Sequence, residues 1–180
     1  MFDGMSQLSL LDVSHNRLTV DVDALDALSH LARLHMVNCA LTTWPQALTR
    51  LDKSKLISLV LDDNPIKRLL STDLNGLTAL RKLRLEDTAI TQLDMDVFRD
   101  LSQLQWLDIS RVPLESLQSA VFDPLVSLKR LDFGAQLLQD KVALSNRYFE
   151  ALTQLERLEL SARGASRSFV QAWDQAFAAR

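Results

Sequence analysis

LRKLRLEDTAI, residues 80–90, alternates through its first half. Leu83 and Leu85 fall on one side, and Lys82, Arg84 and Glu86 on the other. Period two of this kind marks a β-strand with one wet face and one dry face. The stretch is too short to bury its own leucines, so it needs neighbours built the same way. They are present on both sides. LISLVLDDNPI (56–66) precedes it and LQWLDISRVPL (104–114) follows it in the same phase. Extending outward gives seven copies of L-x-x-L-x-L-x-x-N-x-L, starting at Leu8, Leu31, Leu56, Leu80, Leu104, Leu128 and Leu155, at a spacing close to 24 residues. A fixed period of this length marks a stacked solenoid. Stacked copies form a parallel sheet over one continuous core.

Parallel strands require a crossover, and the second half of each repeat supplies it. An apolar residue recurs six positions before the next copy: Leu25, Leu74, Phe98, Phe122 and Phe149. Another recurs three before it: Leu28, Leu77, Leu101, Leu125 and Leu152. These columns predict an apolar spine behind the sheet. The second crossover slips by one residue, which predicts a bulged turn around Asp52 to Lys55. The sixth is long, through LLQDKVALSNRYFEAL, and is expected to hold a short helix.

Position nine of the pattern favours Asn, whose amide can satisfy turn backbone groups that the ladder leaves open. Asn16 and Asn64 fit; Cys39 and Thr88 are small replacements; Val112, Gln136 and Arg163 depart from it. Pro65 and Pro113 come just after, where the strand has ended and a missing N–H costs little.

These motifs resemble the leucine-rich repeat family. LEDTAITQLDMDVFRDLSQL and ISRVPLESLQSAVFDPLVSL are similar to the 24-residue subclass common in extracellular recognition proteins, including Toll-like receptors, Slit-like proteins and arthropod immune proteins. The resemblance implies an α/β fold: a right-handed solenoid with a concave parallel sheet of about seven strands and a convex side of loops and short helical turns. It also implies a non-enzymatic module that binds proteins, mostly on the concave sheet. The repeats occupy residues 1–165. Residues 166–180, with Phe169, Trp173 and Phe177 at i, i+4 and i+8, are expected to form a C-terminal helix or a truncated repeat.

Bulk properties narrow the function. The 180-residue chain is 47% hydrophobic and 24% charged, with net charge −3. That gives no strong field toward nucleic acid or an anionic membrane. No apolar run is long enough to cross a bilayer. The first residues lack the basic and apolar regions of a signal peptide. Cys39 is the sole cysteine, so no internal disulfide forms. Extracellular relatives usually carry cysteine-rich caps, and the first repeat opens in mid-crossover at Phe2 and Met5. The expectation is a piece of a longer array. Upstream coding sequence without further in-phase repeats would contradict it. The resemblance points to an extracellular setting, while the missing signal and paired cysteines point to a cytoplasmic one.

Positions three, five, seven and eight of each copy form the wet face. Equivalent positions in successive strands lie about 4.8 Å apart and make close-set columns. The candidate partner-binding residues are Arg33, His35, Val60, Asp62, Asp63, Lys82, Arg84, Glu86, Asp87, Trp106, Asp108, Arg130 and Asp132. Lys82, Trp106 and Arg130 stand side by side at position three, an interface-like composition or a simple cation–π stack. Asp62, Asp63, Glu86 and Asp87 read as a solvated acidic rim or a meeting point for a basic partner; an ordered Ca²⁺-ligand spacing is missing. Asp108, Asp132 and Glu159 stack as like charges offset by Arg130 and Arg157, a self-neutralising network.

Asp12, His35 and Ser14 share this face, but no oxyanion hole accompanies them and an open sheet excludes no water. Neither catalysis nor a cofactor is expected. The cations are interleaved with acids, so no phosphate-tracking stripe for nucleic acid is expected. The sequence therefore reads as a protein-interaction module, in innate-immune or receptor-type recognition. The alternatives are a structural spacer within a longer protein or an intracellular scaffold.

Overall fold

The computed structural model describes residues 2–17, 23–134 and 148–161. Its strands are β1 (Leu10–Asp12), β2 (Arg33–His35), β3 (Ser58–Val60), β4 (Lys82–Arg84), β5 (Trp106–Ile109), β6 (Arg130–Gly134) and β7 (Arg157–Ser161). They form one parallel sheet in chain order. The register follows the repeat: Leu34 pairs with Leu59, Leu83 with Leu107, and Lys82 with Trp106, which pairs with Arg130. One strand per copy, in phase, is what a leucine-rich repeat solenoid requires.

The dry side of each strand builds the core. Leu34, Leu59, Leu83, Leu107 and Leu131 are fully buried, as are Leu61, Leu85 and Phe133 two residues on. Both crossover columns also pack inward. Phe98 and Phe122 stack at 6.1 Å between centroids, Phe122 and Phe149 at 5.9 Å, and Phe133 meets Phe122 edge-on. The aromatic column thus ties the crossovers to the sheet at β6. Two whole 3₁₀ turns are described, Gln46–Thr49 and Lys53–Lys55, and Tyr148 is also in 3₁₀ conformation. The second lies where the repeat slips by one residue, and Asp52 caps it by accepting from the Ser54 amide. The expected helices in the sixth crossover and at 166–180 lie outside the described residues, as do Gln136 and Arg163.

Position nine works as expected where Asn is present. Asn64 Oδ1 accepts from the amides of Cys39 and Leu41, and Nδ2 lies within hydrogen-bond reach of the carbonyls of Met36, Leu61 and Asp62. One buried amide thereby joins two repeats. Thr88 Oγ1 donates to the Leu85 carbonyl, and Cys39 Sγ faces the Val13 and Val37 carbonyls. Val112 has only an apolar side chain to offer and is buried.

Position eight is conformationally special. His15, Asn38, Asp63, Asp87 and Arg111 all have positive φ, between 51° and 62°. The chain leaves each strand through one left-handed residue, a region where Asn and Asp are favoured among non-glycines. That bend turns the chain from the sheet into the crossover.

Candidate interaction surface on the concave sheet

The centre of the wet face is Trp106. Lys82 Nζ lies 4.1 Å and Arg130 Cζ 4.4 Å from its ring centroid, reaching in from the strands on either side. Its indole N–H donates to Asp132 Oδ2 at 2.8 Å. The position-three trio therefore forms as the columns predict. The ring is half-buried, with its own cations over it and its N–H engaged.

Arg84 organises the neighbouring carboxylates. Its Nε lies 2.8 Å from Asp62 and 3.5 Å from Asp108, and its Nη2 donates to Glu86 at 2.6 Å. Arg111 approaches Glu86 at 2.9 Å and Asp87 at 3.5 Å. Downstream, Arg130 pairs with Asp132 at 2.8 Å and approaches Glu159 at 3.7 Å, and Arg157 pairs with Glu159. The like-charge column is therefore neutralised by interleaved arginines, as expected. Arg84, Glu86, Asp108, Arg111, Arg130, Asp132 and Glu159 line a hollow of about 350 Å³ together with Trp106 and Ser110.

The acidic quartet differs from a solvated rim. Asp62 is buried, accepts from the Glu86 amide at 2.9 Å and faces Arg84. Desolvation pushes its pKa up to about 6, against the pull of Arg84 and the Glu86 amide. Glu86 turns to Arg84 and Arg111, Asp87 toward Arg111, and Asp63 to solvent. The four carboxylates diverge, and no set of three metal-ligating side chains converges among the described residues. Ser58, Val60, Asp108 and Asp132 are also buried, although they belong to the wet face. Arg84 reaches Asp108, and Trp106 and Arg130 close over Asp132.

Asp12 and His35 approach at 3.8 Å. Hydrogen bonds from Ser14 hold the Asp12 carboxyl below its ordinary range. Ser14 Oγ accepts from the Val37 amide, so the hydroxyl serves the strand ladder rather than His35. Arg33 is exposed on β2, next to Leu10, which is 42% exposed on β1. Two position-seven residues of the wet face outside the candidate partner-binding set also shape the site. Ser110 donates to Asp108 and holds it in place. Gly134 leaves room that a Cβ would not, since that atom would sit 2.8 Å from the Arg111 amide. The signal in the sequence is the change at position seven from Asp62 and Glu86 to the small Ser110 and Gly134.

The profile of the leucine rich repeat family matches residues 54–114 and 78–138. The chain is a leucine-rich repeat protein. This leucine-rich repeat chain is similar to human Toll-like receptor 9, 34% identical over 160 residues, covering 80% of this chain and 15% of the receptor. Chicken Toll-like receptor 2 type-1 is 33% identical over 106 residues, covering 59% and 13%. The chain thus spans about an eighth to a seventh of the length of these relatives. A TLR13–ssRNA13 complex aligns with TM-score 0.68 and 25% identity over 89% of this chain and 26% of that one. The Toll–Spatzle complex of Drosophila aligns with TM-score 0.71 and 20% identity, over 95% and 26%, a likeness of fold. Among the described residues no helix is long and apolar enough to cross a membrane.

Proposed function

We propose that this chain is a ligand-recognition stretch of a Toll-like-receptor-type ectodomain, binding a protein partner on its concave sheet without chemical catalysis. The observation that carries this is the group around Trp106: a large aromatic ring held between Lys82 and Arg130 and fixed by Asp132, in the middle of an open, richly charged sheet. Aromatic and arginine side chains with restricted freedom are the usual anchors of protein interfaces. The similarity to Toll-like receptors supports the setting, an extracellular or receptor ectodomain.

Of the two structural neighbours named above, one is a complex with an RNA and the other with Spatzle. The mixed sign of this face favours a protein. Phosphate tracking needs cations free of neighbouring carboxylates, and in the position-three row Arg130 and Arg157 are paired with Asp132 and Glu159 at position five. The second reading, a spacer, is separated from the first by substitution. Trp106→Ala with Lys82→Glu should abolish capture of the partner from an extract of the source organism while leaving the fold intact. Lys67→Glu with Arg68→Glu, on the crossover side, should leave capture unchanged. Equal capture by both pairs would favour the spacer.

A further inference from the structure

The concave charges are sorted by row. Position three carries Arg33, Lys82, Arg130 and Arg157, and no acid. Positions seven and eight carry Asp62, Asp63, Glu86 and Asp87, with Arg111 the only arginine or lysine there. Over β5–β7 these charges are satisfied within the chain. Over β2–β4 several are not. Among the described residues Arg33, Lys82 and Asp63 make no ion pair, and Asp87 has only the 3.5 Å approach of Arg111. Lys82 Nζ lies over the Trp106 ring and feels the Asp62 and Asp108 carboxylates without closing an ion pair with either. Ser58 stands within the position-three row between Arg33 and Lys82, and Val60 lies between the two rows; both are short and buried, so β3 is the low strand of this face.

We propose that this surface docks an α-helix of the protein partner, laid across β2–β4 with an acidic edge over Arg33 and Lys82 and a basic edge over Asp63 and Asp87. The proposal rests on the protein-recognition reading above and adds the partner's shape and polarity. The dimensions fit. The rows lie four to five residues apart along the chain, closer than the roughly 13–16 Å of an extended strand because β2–β4 end at position five and position eight bends away, and a helix with side chains is about 10–12 Å across. One helical turn rises about 5.4 Å, close to the strand spacing of about 4.8 Å, so one side chain per turn meets one strand. An extended partner strand repeats a face about every 6.6 Å and drifts out of step.

A helix turned end for end exchanges its two edges. A peptide with its acidic and basic edges swapped therefore binds in the opposite direction and is no control. Informative probes are stapled helical peptides of about fifteen residues, with Glu on one edge and Lys on the other, Glu on both, or Lys on both. Binding of each to the full chain is read by fluorescence anisotropy at low salt. The mixed peptide should bind tightest. Arg33→Glu with Lys82→Glu should weaken it about tenfold or more and strengthen the all-Lys peptide. Adding Asp63→Lys and Asp87→Lys should restore the mixed peptide. A long basic residue is tolerated at that left-handed position, as Arg111 already shows. Equal binding of the three peptides, or indifference to the Arg33 and Lys82 reversals in variants with unchanged melting, would overturn the proposal. If the peptides fail to discriminate while partner capture still depends on Trp106, the helix proposal falls and the recognition reading stands.

Discussion

Asn64 shows how one side chain joins two repeats. Replacing it with Ala leaves the buried amides of Cys39 and Leu41 without their acceptor and removes the donor facing three carbonyls. Unsatisfied buried groups cost about 1–3 kcal/mol each before relaxation. Asn64→Ala should therefore lose about 2–4 kcal/mol in urea unfolding; a loss under about 0.5 kcal/mol would contradict the role. Asp62 makes a pH prediction. Its pKa is raised on folding, so the native chain binds a proton between pH 7 and 5 that the unfolded chain does not. Stability from this group is complete below the unfolded value and lost as pH rises through about 6. It should add about 1 kcal/mol at pH 5 relative to pH 7. Asp62→Asn should remove that increment from the difference between urea midpoints at the two pH values; an unchanged increment would contradict it. The Asn64 role is legible in the sequence, because the repeat marks the position. The burial of Asp62 is not. Alternation assigns it to the wet face, and only the neighbours' length decides whether water reaches it.

At the scale of elements, the strands and both crossover columns are legible because hydrophobic period and repeat phase agree at nearly every copy. Even the slip near Asp52 shows as an out-of-phase residue, and the structure resolves it as a 3₁₀ turn. The left-handed bend at position eight is not legible. It is filled by His15, Asn38, Asp63, Asp87 and Arg111, with no glycine to mark it. The aromatic column carries an element-scale prediction. Phe122 touches Phe98, Phe133 and Phe149. Phe122→Ala should cost about 3–5 kcal/mol in chemical denaturation, with the strongest loss of amide protection in the crossovers beside it. A loss below about 1 kcal/mol would mean that the spine is not a packed column. Gly134→Val should also destabilise, since the added carbon meets Arg111 backbone rather than a movable side chain; unchanged melting would contradict that reading.

The whole molecule is a curved sheet whose dry side is set by leucines and whose wet side is set by charge. The leucines explain the fold and leave the partner open. The columns around Trp106 supply the candidate residues of the proposed partner surface, while the structure adds what a list of columns lacks: which charges are already paired within the chain. Stability and recognition are separable on this account. Trp106 is half-buried outside the core, so Trp106→Ala should shift melting only modestly while removing an anchor of the concave face. The most direct measurement of the central claim is site-specific photo-crosslinking. A photoreactive residue is placed at Trp106 on the sheet and, separately, at exposed Met95 on the crossover side. Each protein is then irradiated with the native extract. The account predicts a discrete partner band from position 106 and none from position 95. The same band from both positions, or from position 95 alone, would contradict recognition by the concave face.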